Sequence, residues 1–268
     1  MSASRRSSAS HRRRGLRRAL IATCVLAGIG ACWAALAWTA PHAVPERARA
    51  SRASTGPAGG FPSPSAAVSP SAGLAQVPLI DLAGLRWTDY GGIKLPVSRS
   101  AGPHDVRGGL ASGFADTPVG ALLAAVNIGV RANAQWGPGV FGPTIREQVT
   151  GPDVAALLAG CQASYDQAIR AAGVPAGQSL GRAFVAEEAF RWVTYSPVGA
   201  TVDIVSAGPG DQGTTVRAVT RIEVQWSGAD WQVIAPPGGD WGNSAGPLAS
   251  LTGYTRFPVP ARVKGTRR

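Results

Sequence analysis

Apolar residues follow three successive patterns along the chain, and each pattern predicts a different kind of segment. Residues 19–40 form an uninterrupted apolar run without a single charge. Residues 41–75 contain few large apolar side chains and much Pro, Ser, Ala and Gly. Across residues 76–261 apolar positions first recur at helical spacing and later alternate as in strands. A membrane-sized segment, a linker and one globular domain are therefore predicted, flanked by basic tails at residues 1–18 and 262–268.

The apolar run has the length of a membrane span. A helix of 22 residues is about 33 Å long, enough to cross a hydrocarbon core of about 30 Å. Trp33 and Trp38 lie toward its C-terminal end, where indole rings prefer the membrane interface. Seven arginines and no acidic residue precede it within residues 1–18. Because basic flanks stay in the cytoplasm, we predict a single-pass protein of the cell membrane with its C-terminal domain outside.

Two other interpretations of this segment stay open. Small residues at positions 35 and 37 fit a cleavage site, so the segment is also compatible with a cleaved signal peptide. The sequence Ile-Gly-Ala-Cys at residues 29–32 resembles a lipobox, in which Cys32 would carry the lipid. All three interpretations put the domain outside the cytoplasm.

The net charge of +11 is concentrated outside the globular domain. Residues 76–261 contain 12 Lys and Arg against 14 Asp and Glu, which leaves a charge of −2. Such a domain has no electrostatic footprint for nucleic acid, and we expect it to bind none. The arginines of the N-terminal tail suit contact with anionic lipid headgroups, or with a cytoplasmic partner protein.

The linker at residues 41–75 lacks the apolar surface needed to offset the entropy of ordering it. A flexible chain of this length has a root-mean-square span of about 30–35 Å. We therefore predict a disordered linker that holds the outer domain away from the membrane.

The first half of the outer domain predicts helices after an extended segment that turns at Gly91-Gly92. Thr117 and Pro118 fit the N-cap and the first turn of a helix with one apolar face. Asn127 and Arg131, four residues apart, are expected to share a more polar face of this helix.

Two further helices are expected, a short one at residues 144–149 and a longer one from Pro152 to the residue before Gly173. Strands are predicted at residues 184–195, which are rich in aromatic side chains, at 201–206, and at 214–226, where apolar and polar positions alternate. A fourth strand is expected to begin at residues 231–234. Helices followed by an antiparallel meander define an α+β domain, with helices packed on a curved antiparallel sheet.

The order of elements over residues 115–236 resembles a cystatin-like, or nuclear-transport-factor-2-like, cone. The closing hairpin, VQWSGADWQVIAPP, carries most of this resemblance. Such cones have a mouth, and some relatives are isomerases that use a carboxylate base and a tyrosine in an apolar pocket. The resemblance suggests Glu187, Glu188, Asp203 and Tyr195 for those roles, but the simpler interpretation is that they are solvated residues of strands.

A second resemblance concerns the approach to the first helix. The segments Trp87–Gly92, Leu95-Pro96, Gly102-Pro103, Gly113–Ala115 and Thr117–Ala121 are similar to a family of uncharacterised actinobacterial proteins associated with conjugative and integrative elements. An anchor followed by a cone is also similar to the membrane-anchored assembly factors of type IV secretion systems. This resemblance implies contacts with other secretion-complex proteins, and with further copies of the chain, rather than catalysis.

Reactive side chains give little support for an enzyme. His104 lies in a glycine-rich loop with no nucleophile that suggests a triad, and the loop lacks a phosphate-binding spacing. Cys161 is expected to be a small buried residue of a helix. We predict no catalytic residue, no metal and no cofactor.

Aromatic residues provide the candidate contact surface. Tryptophan and tyrosine dominate the binding energy of many interfaces, although they also fill cores. The residues predicted to bind a partner protein are Trp87, Tyr90, Trp192, Trp226 and Trp231.

Overall fold

The structure is a computed structural model that describes residues 77–258. The predicted N-terminal tail at residues 1–18, membrane span at 19–40, linker at 41–75 and basic tail at 262–268 lie outside the described residues. Within the described range, none of the helices has the length and apolar character needed to cross a membrane.

The described residues form an α+β domain in which three α-helices pack on a mixed β-sheet, accompanied by a separate hairpin. The helices are α1 (Pro118–Arg131), α2 (Pro138–Gln148) and α3 (Val154–Ala172). The strands are β1 (Leu85–Tyr90), β2 (Ile93–Ser98), β3 (Val149–Thr150), β4 (Ala186–Ser196), β5 (Gly199–Pro209), β6 (Thr215–Trp226), β7 (Trp231–Ile234), β8 (Ala245–Pro247) and β9 (Thr255–Arg256).

The sheet has the strand order β3-β7-β6-β5-β4-β9, and β8 pairs with β6 beyond the end of β7. The central strands β4 to β7 form the predicted antiparallel meander. The expectation of a purely antiparallel sheet is corrected at one edge, because β3 pairs with β7 in parallel. Strands β1 and β2 form the hairpin that turns at Gly91-Gly92.

Helix α1 begins where the sequence predicts. The Thr117 side chain accepts a hydrogen bond from the backbone N–H of Gly120, which satisfies one of the free donors of the first turn. The helix contacts β5, β6 and β7 on one side and β2 on another. Nearly every residue from Gly120 to Arg131 is buried, as expected for a helix that is apolar on all sides.

The more polar face of α1 lies inside the domain. Asn127 and Arg131 do share a face, but their exposed fractions are 0% and 1%. The Asn127 side chain donates to the carbonyls of Leu123 and Pro96, and Arg131 donates to Asn127. These local hydrogen bonds satisfy most of the buried polar groups of the face, although Nε of Arg131 has no partner among the described residues.

Helix α3 confirms the longer of the two predicted helices. It is capped by Gly173, whose φ of 65° is the left-handed conformation that suits a helix C-cap. Helix α2 starts at Pro138, six residues before the predicted short helix. The prolines and glycines of this segment weaken a helix prediction. Packing overrides that preference, because Phe141 is buried with its ring centre 6.1 Å from that of Tyr165.

The chain after β7 crosses the sheet. β8 lies beside β6 and β9 lies beside β4, with β5 between those two strands. Residues 248–254, here called the strap, must therefore pass across one face of β5. At the end of the strap, the ring centre of Tyr254 lies 4.6 Å from the guanidinium carbon of Arg191. Because Arg191 projects from the face of the sheet opposite α1, this is the face that the strap crosses. We call it the outer face, and the α1 side the inner face.

Candidate functional site

A buried carboxylate between two arginines occupies the outer face. Arg191, Asp203 and Arg221 are directly opposite one another on β4, β5 and β6. Nη2 of Arg191 lies 2.7 Å from Oδ2 of Asp203, and Nε of Arg221 lies 2.8 Å from Oδ1. The Asp203 side chain is 3% exposed, whereas the arginines are 45% and 50% exposed. A partner that approaches this face would therefore contact the two guanidinium groups, because the Asp203 carboxylate is buried beneath them.

The electrostatics of this row follow from its geometry. Burial acts to raise the pKa of Asp203, but the hydrogen bonds from Arg221 and Arg191 outweigh it, so the pKa lies below its ordinary value. The carboxylate is therefore ionised at neutral pH. It holds both guanidinium groups in fixed positions at the surface.

A second row of the same kind lies further along the sheet. Glu188 accepts a hydrogen bond from Nε of Arg217 at 2.6 Å and from Nη1 of Arg256 at 2.7 Å. The hydrogen bond from Arg217 is the main reason why the pKa of Glu188 is lowered. Glu188 is the extra residue of a β-bulge in β4, since the register shifts between Glu187 and Ala189. Ordinary strand alternation already puts Glu188 on the face opposite Glu187, and the bulge keeps the next residue, Ala189, on that outer face as well.

An open groove of about 610 Å³ lies on the outer face beside the first row. Arg191, Arg221 and Tyr254 line it, together with apolar and proline residues of the segment after β7. Asp153 and Glu223 add two carboxylates. The groove thus combines arginine, aromatic, apolar and acidic groups, which gives it the mixed chemistry of a protein-binding surface.

A much smaller cavity of about 30 Å³ lies between α1 and the inner face. Glu187 is buried there, and its Oε2 accepts a hydrogen bond from the Ser206 hydroxyl at 2.9 Å. Burial raises the pKa of Glu187 to about 7, against the opposing effect of that hydrogen bond. The hydroxyl of Thr220 also lines the cavity and has no hydrogen-bond partner among the described residues.

The four residues considered for isomerase chemistry do not form one site. Glu187 faces inward, whereas Glu188 and Asp203 lie on the outer face. Tyr195 packs against Trp192, with ring centres 5.6 Å apart. The interpretation of these residues as solvated is wrong for Glu187 and Asp203, which are 6% and 2% exposed. A strand pattern alone could not reveal this, because other elements cover both residues: α1 packs over Glu187, and Arg191 and Arg221 lie over the Asp203 carboxylate.

The predicted contact aromatics are mostly engaged within the domain. Trp192 and Trp231 are buried in the core, and the indole N–H of Trp231 donates to the carbonyl of Ala115. Trp226 packs on Trp231, Trp87 packs on Phe257, and Tyr90 packs on Trp136. Trp87, Tyr90 and Trp226 are partly exposed. For these three residues, contact with a partner protein stays a prediction.

Cys161, His104 and Ser244 are further reactive side chains among the described residues. Cys161 is buried on α3 as predicted, and burial raises the pKa of its thiol to about 11. The His104 ring lies 3.1 Å from the Arg99 carbonyl. Ser244 lies within the spacing Gly-x-Ser-x-Gly, but it ends a 3-10 turn that leads into β8 and lacks the strand-to-helix turn of a hydrolase nucleophile. Residues 77–258 hold no cluster of three metal-ligating side chains.

These features define an α+β domain with an arginine-lined groove on the outer face of its sheet. The family model described as Domain of unknown function (DUF8175) matches residues 36–256, and the chain belongs to this family. Comparison with curated proteins and with solved structures gives no match.

Proposed function

We propose that this protein is a non-enzymatic, membrane-anchored accessory protein of a conjugation or secretion apparatus. Its outer domain binds a partner protein through the arginine-lined groove. The observation that carries this proposal is the groove itself, in which ionised Asp203 fixes two half-exposed guanidinium groups next to Tyr254. Arginine and tyrosine are the residues that most often dominate the energy of protein interfaces.

The state of these arginines before binding supports the same conclusion. Long side chains lose rotamer freedom when a partner orders them, at about 0.5–1.5 kcal/mol for each. In the groove, Asp203 already restrains Arg191 and Arg221. A partner would therefore bind a preorganised surface, with guanidinium N–H groups still directed to solvent.

The order of segments along the sequence supports an extracytoplasmic location. The apolar run at residues 19–40 would hold the chain in the membrane, and residues 41–75 would act as the tether. Helix α1 against a sheet of long antiparallel strands is consistent with the cystatin-like cone of type IV secretion assembly factors. A tethered domain of this kind can reach partners within tens of ångströms of the bilayer.

A second candidate is an extracytoplasmic small-ligand binder or an enzyme that uses the interior of the cone. The buried carboxylate of Glu187 favours it, because buried acids are typical of such sites. The cavity of about 30 Å³ argues against it, since pockets for organic ligands measure about 300–1,000 Å³. The groove therefore supports the scaffold function better.

Purification of the full-length protein from its native membrane, after chemical crosslinking, tests this function. Mass spectrometry then measures the chain mass and identifies crosslinked proteins in one sample. We expect an intact N-terminus and membrane-embedded secretion subunits as partners. A chain that is cleaved or lipidated near residues 32–37 and crosslinked to no other protein would contradict the proposal and favour the ligand-binding alternative.

A further inference from the structure

The carboxylate of Glu187 lines the inner cavity, and none of the described residues that line this cavity is positively charged. Glu187 is the single charged residue among those that line it in the described structure. The lining residues come from α1, β4, β5, β6 and the turn after β7, and they are Val126, Gly129, Val130, Asn133, Glu187, Ile204, Ser206, Thr220, Ile222 and Trp241. Burial of an isolated ionised carboxylate in such surroundings is strongly unfavourable, and the group takes up a proton instead.

Charged groups near the cavity do not neutralise Glu187. The adjacent residue Glu188 lies on the outer face with Arg217 and Arg256, so both arginines pair with that carboxylate. Asp240 precedes Trp241 in the turn that closes the cavity and is itself acidic. The hydroxyl of Ser206 donates the hydrogen bond that Glu187 receives on its own sheet.

The cavity has the dimensions and the polar groups for one water molecule. A volume of about 30 Å³ is sufficient for one water molecule. A buried water commonly makes two to four hydrogen bonds to otherwise unsatisfied groups. The unpartnered hydroxyl of Thr220 is such a group, and Glu187 is bonded only through the Oε2 that accepts from Ser206.

We propose that this cavity is a proton-binding site, in which protonated Glu187 and one water molecule that bridges it to Thr220 complete the interior of the sheet. The raised pKa of Glu187, about 7, agrees with this assignment. The site does not depend on the groove or on any partner protein. Its consequence is that the outer domain is more stable in a mildly acidic medium than in an alkaline one.

The sign of the effect follows from the two pKa values. The pKa of Glu187 is about 7 in the folded domain and 4.5 in its ordinary state. Below pH 4.5 both the folded and unfolded chains are protonated, and the stabilisation is fully present. As pH rises from 4.5 through 7 the folded chain holds a proton that the unfolded chain has lost, so the stability falls.

The test is urea unfolding of the full-length chain in detergent micelles at a series of pH values, followed by tryptophan fluorescence. Glu187→Gln removes the titrating group and keeps its shape, and Glu147→Gln changes an exposed carboxylate on α2 as the control. Between pH 5 and pH 8 the wild type should lose on the order of tenfold to a hundredfold in its folding equilibrium constant relative to Glu187→Gln. The Glu147→Gln variant should follow the wild type. Parallel profiles for wild type and Glu187→Gln would overturn the proton site.

Infrared difference spectra and a second variant extend the test. The wild type minus Glu187→Gln spectrum should contain a protonated carboxyl band at pH 6 that disappears by pH 9. Thr220→Val removes a polar partner of the water, so the midpoint of this band should move to higher pH. If Glu187→Gln does not fold, the Thr220→Val shift, measured against wild type, still tests the site. An unchanged midpoint in Thr220→Val would overturn the bridging water, and absence of the band at pH 6 would overturn the proton site.

Discussion

The guanidinium carbon of Arg131 lies 4.4 Å from the centre of the Tyr90 ring. Arg131 ends α1 and is 1% exposed, yet no carboxylate of the described residues forms an ion pair with it. Its charge is stabilised by the Tyr90 ring face, by Asn127 and by the carbonyl end of the helix. This contact joins the β1–β2 hairpin, the first element after the predicted tether, to the central helix.

Removal of the aromatic ring at Tyr90 should therefore destabilise the domain. Tyr90→Leu loses the cation–π contact and the packing on Trp136, at a cost of about 1–3 kcal/mol in the free energy of unfolding. Tyr90→Phe retains the ring and should lose less than about 1 kcal/mol. Urea unfolding of both variants provides the measurement, and equal losses would refute the role assigned to the ring.

The Arg191–Asp203–Arg221 row should make stability depend on acid pH. Because the pKa of Asp203 lies below its ordinary value of 3.8, its contribution is present above pH 3.8 and is lost as pH falls through the lower folded value. Asp203→Asn should lose about 1–3 kcal/mol at neutral pH and less below pH 3. This direction is opposite to that of Glu187, so unfolding measured across the acid range separates the two groups. A constant difference between wild type and Asp203→Asn across that range would show that the ion pairs contribute nothing.

The loop before α1 should loosen when Asp230 is replaced. Its carboxylate accepts the backbone N–H of Gly113 at 2.7 Å and that of Phe114 at 3.0 Å. Asp230→Ala leaves both donors without this partner, at a cost of about 1–3 kcal/mol. Amide hydrogen exchange should accelerate at Gly113 and Phe114, and less so in Asp230→Asn, which keeps one acceptor oxygen. Unchanged exchange in the alanine variant would exclude this anchoring role.

Gly120 should not tolerate a side chain. A methyl group at this position would overlap the carbonyl oxygen of Ala115, which belongs to the backbone and cannot move aside cheaply. Gly120→Ala should cost about 1–3 kcal/mol, although alanine is the better helix former. Gly139→Ala in α2 is the matched control, because its new methyl group would meet open space. Thermal unfolding distinguishes the two, and a stabilised Gly120→Ala variant would contradict the close contact.

Sequence patterns predicted the elements whose signals are local. The N-cap at Thr117, the C-cap at Gly173 and the alternation along β6 all depend on neighbouring residues, and the structure confirms them. The start of α2 and the parallel pairing of β3 depend on contacts distant in sequence. Local propensity therefore missed both.

The candidate sites were harder to predict, for a related reason. Glu187 and Glu188 are consecutive, so strand alternation directs one into the cavity and the other to the arginines of the outer face, but the sequence does not say which face α1 covers. The groove forms between the sheet and the segment after β7, with Tyr254 of the strap at its edge, and this irregular segment leaves no periodic signal. Its location could be recognised only when the pairing of β8 and β9 was known.

Site-specific photocrosslinking tests the central claim most directly. A photoreactive residue at Glu223, which is exposed and lines the groove, is compared with one at Gln167 on the exposed surface of α3, in the full-length protein in its native membrane. The account predicts a discrete crosslinked protein from position 223 and none from position 167. It further predicts that Arg191→Ala with Arg221→Ala abolishes this crosslink. Equal labelling from both positions, or a crosslink that survives loss of both arginines, would contradict the groove as the partner-binding surface.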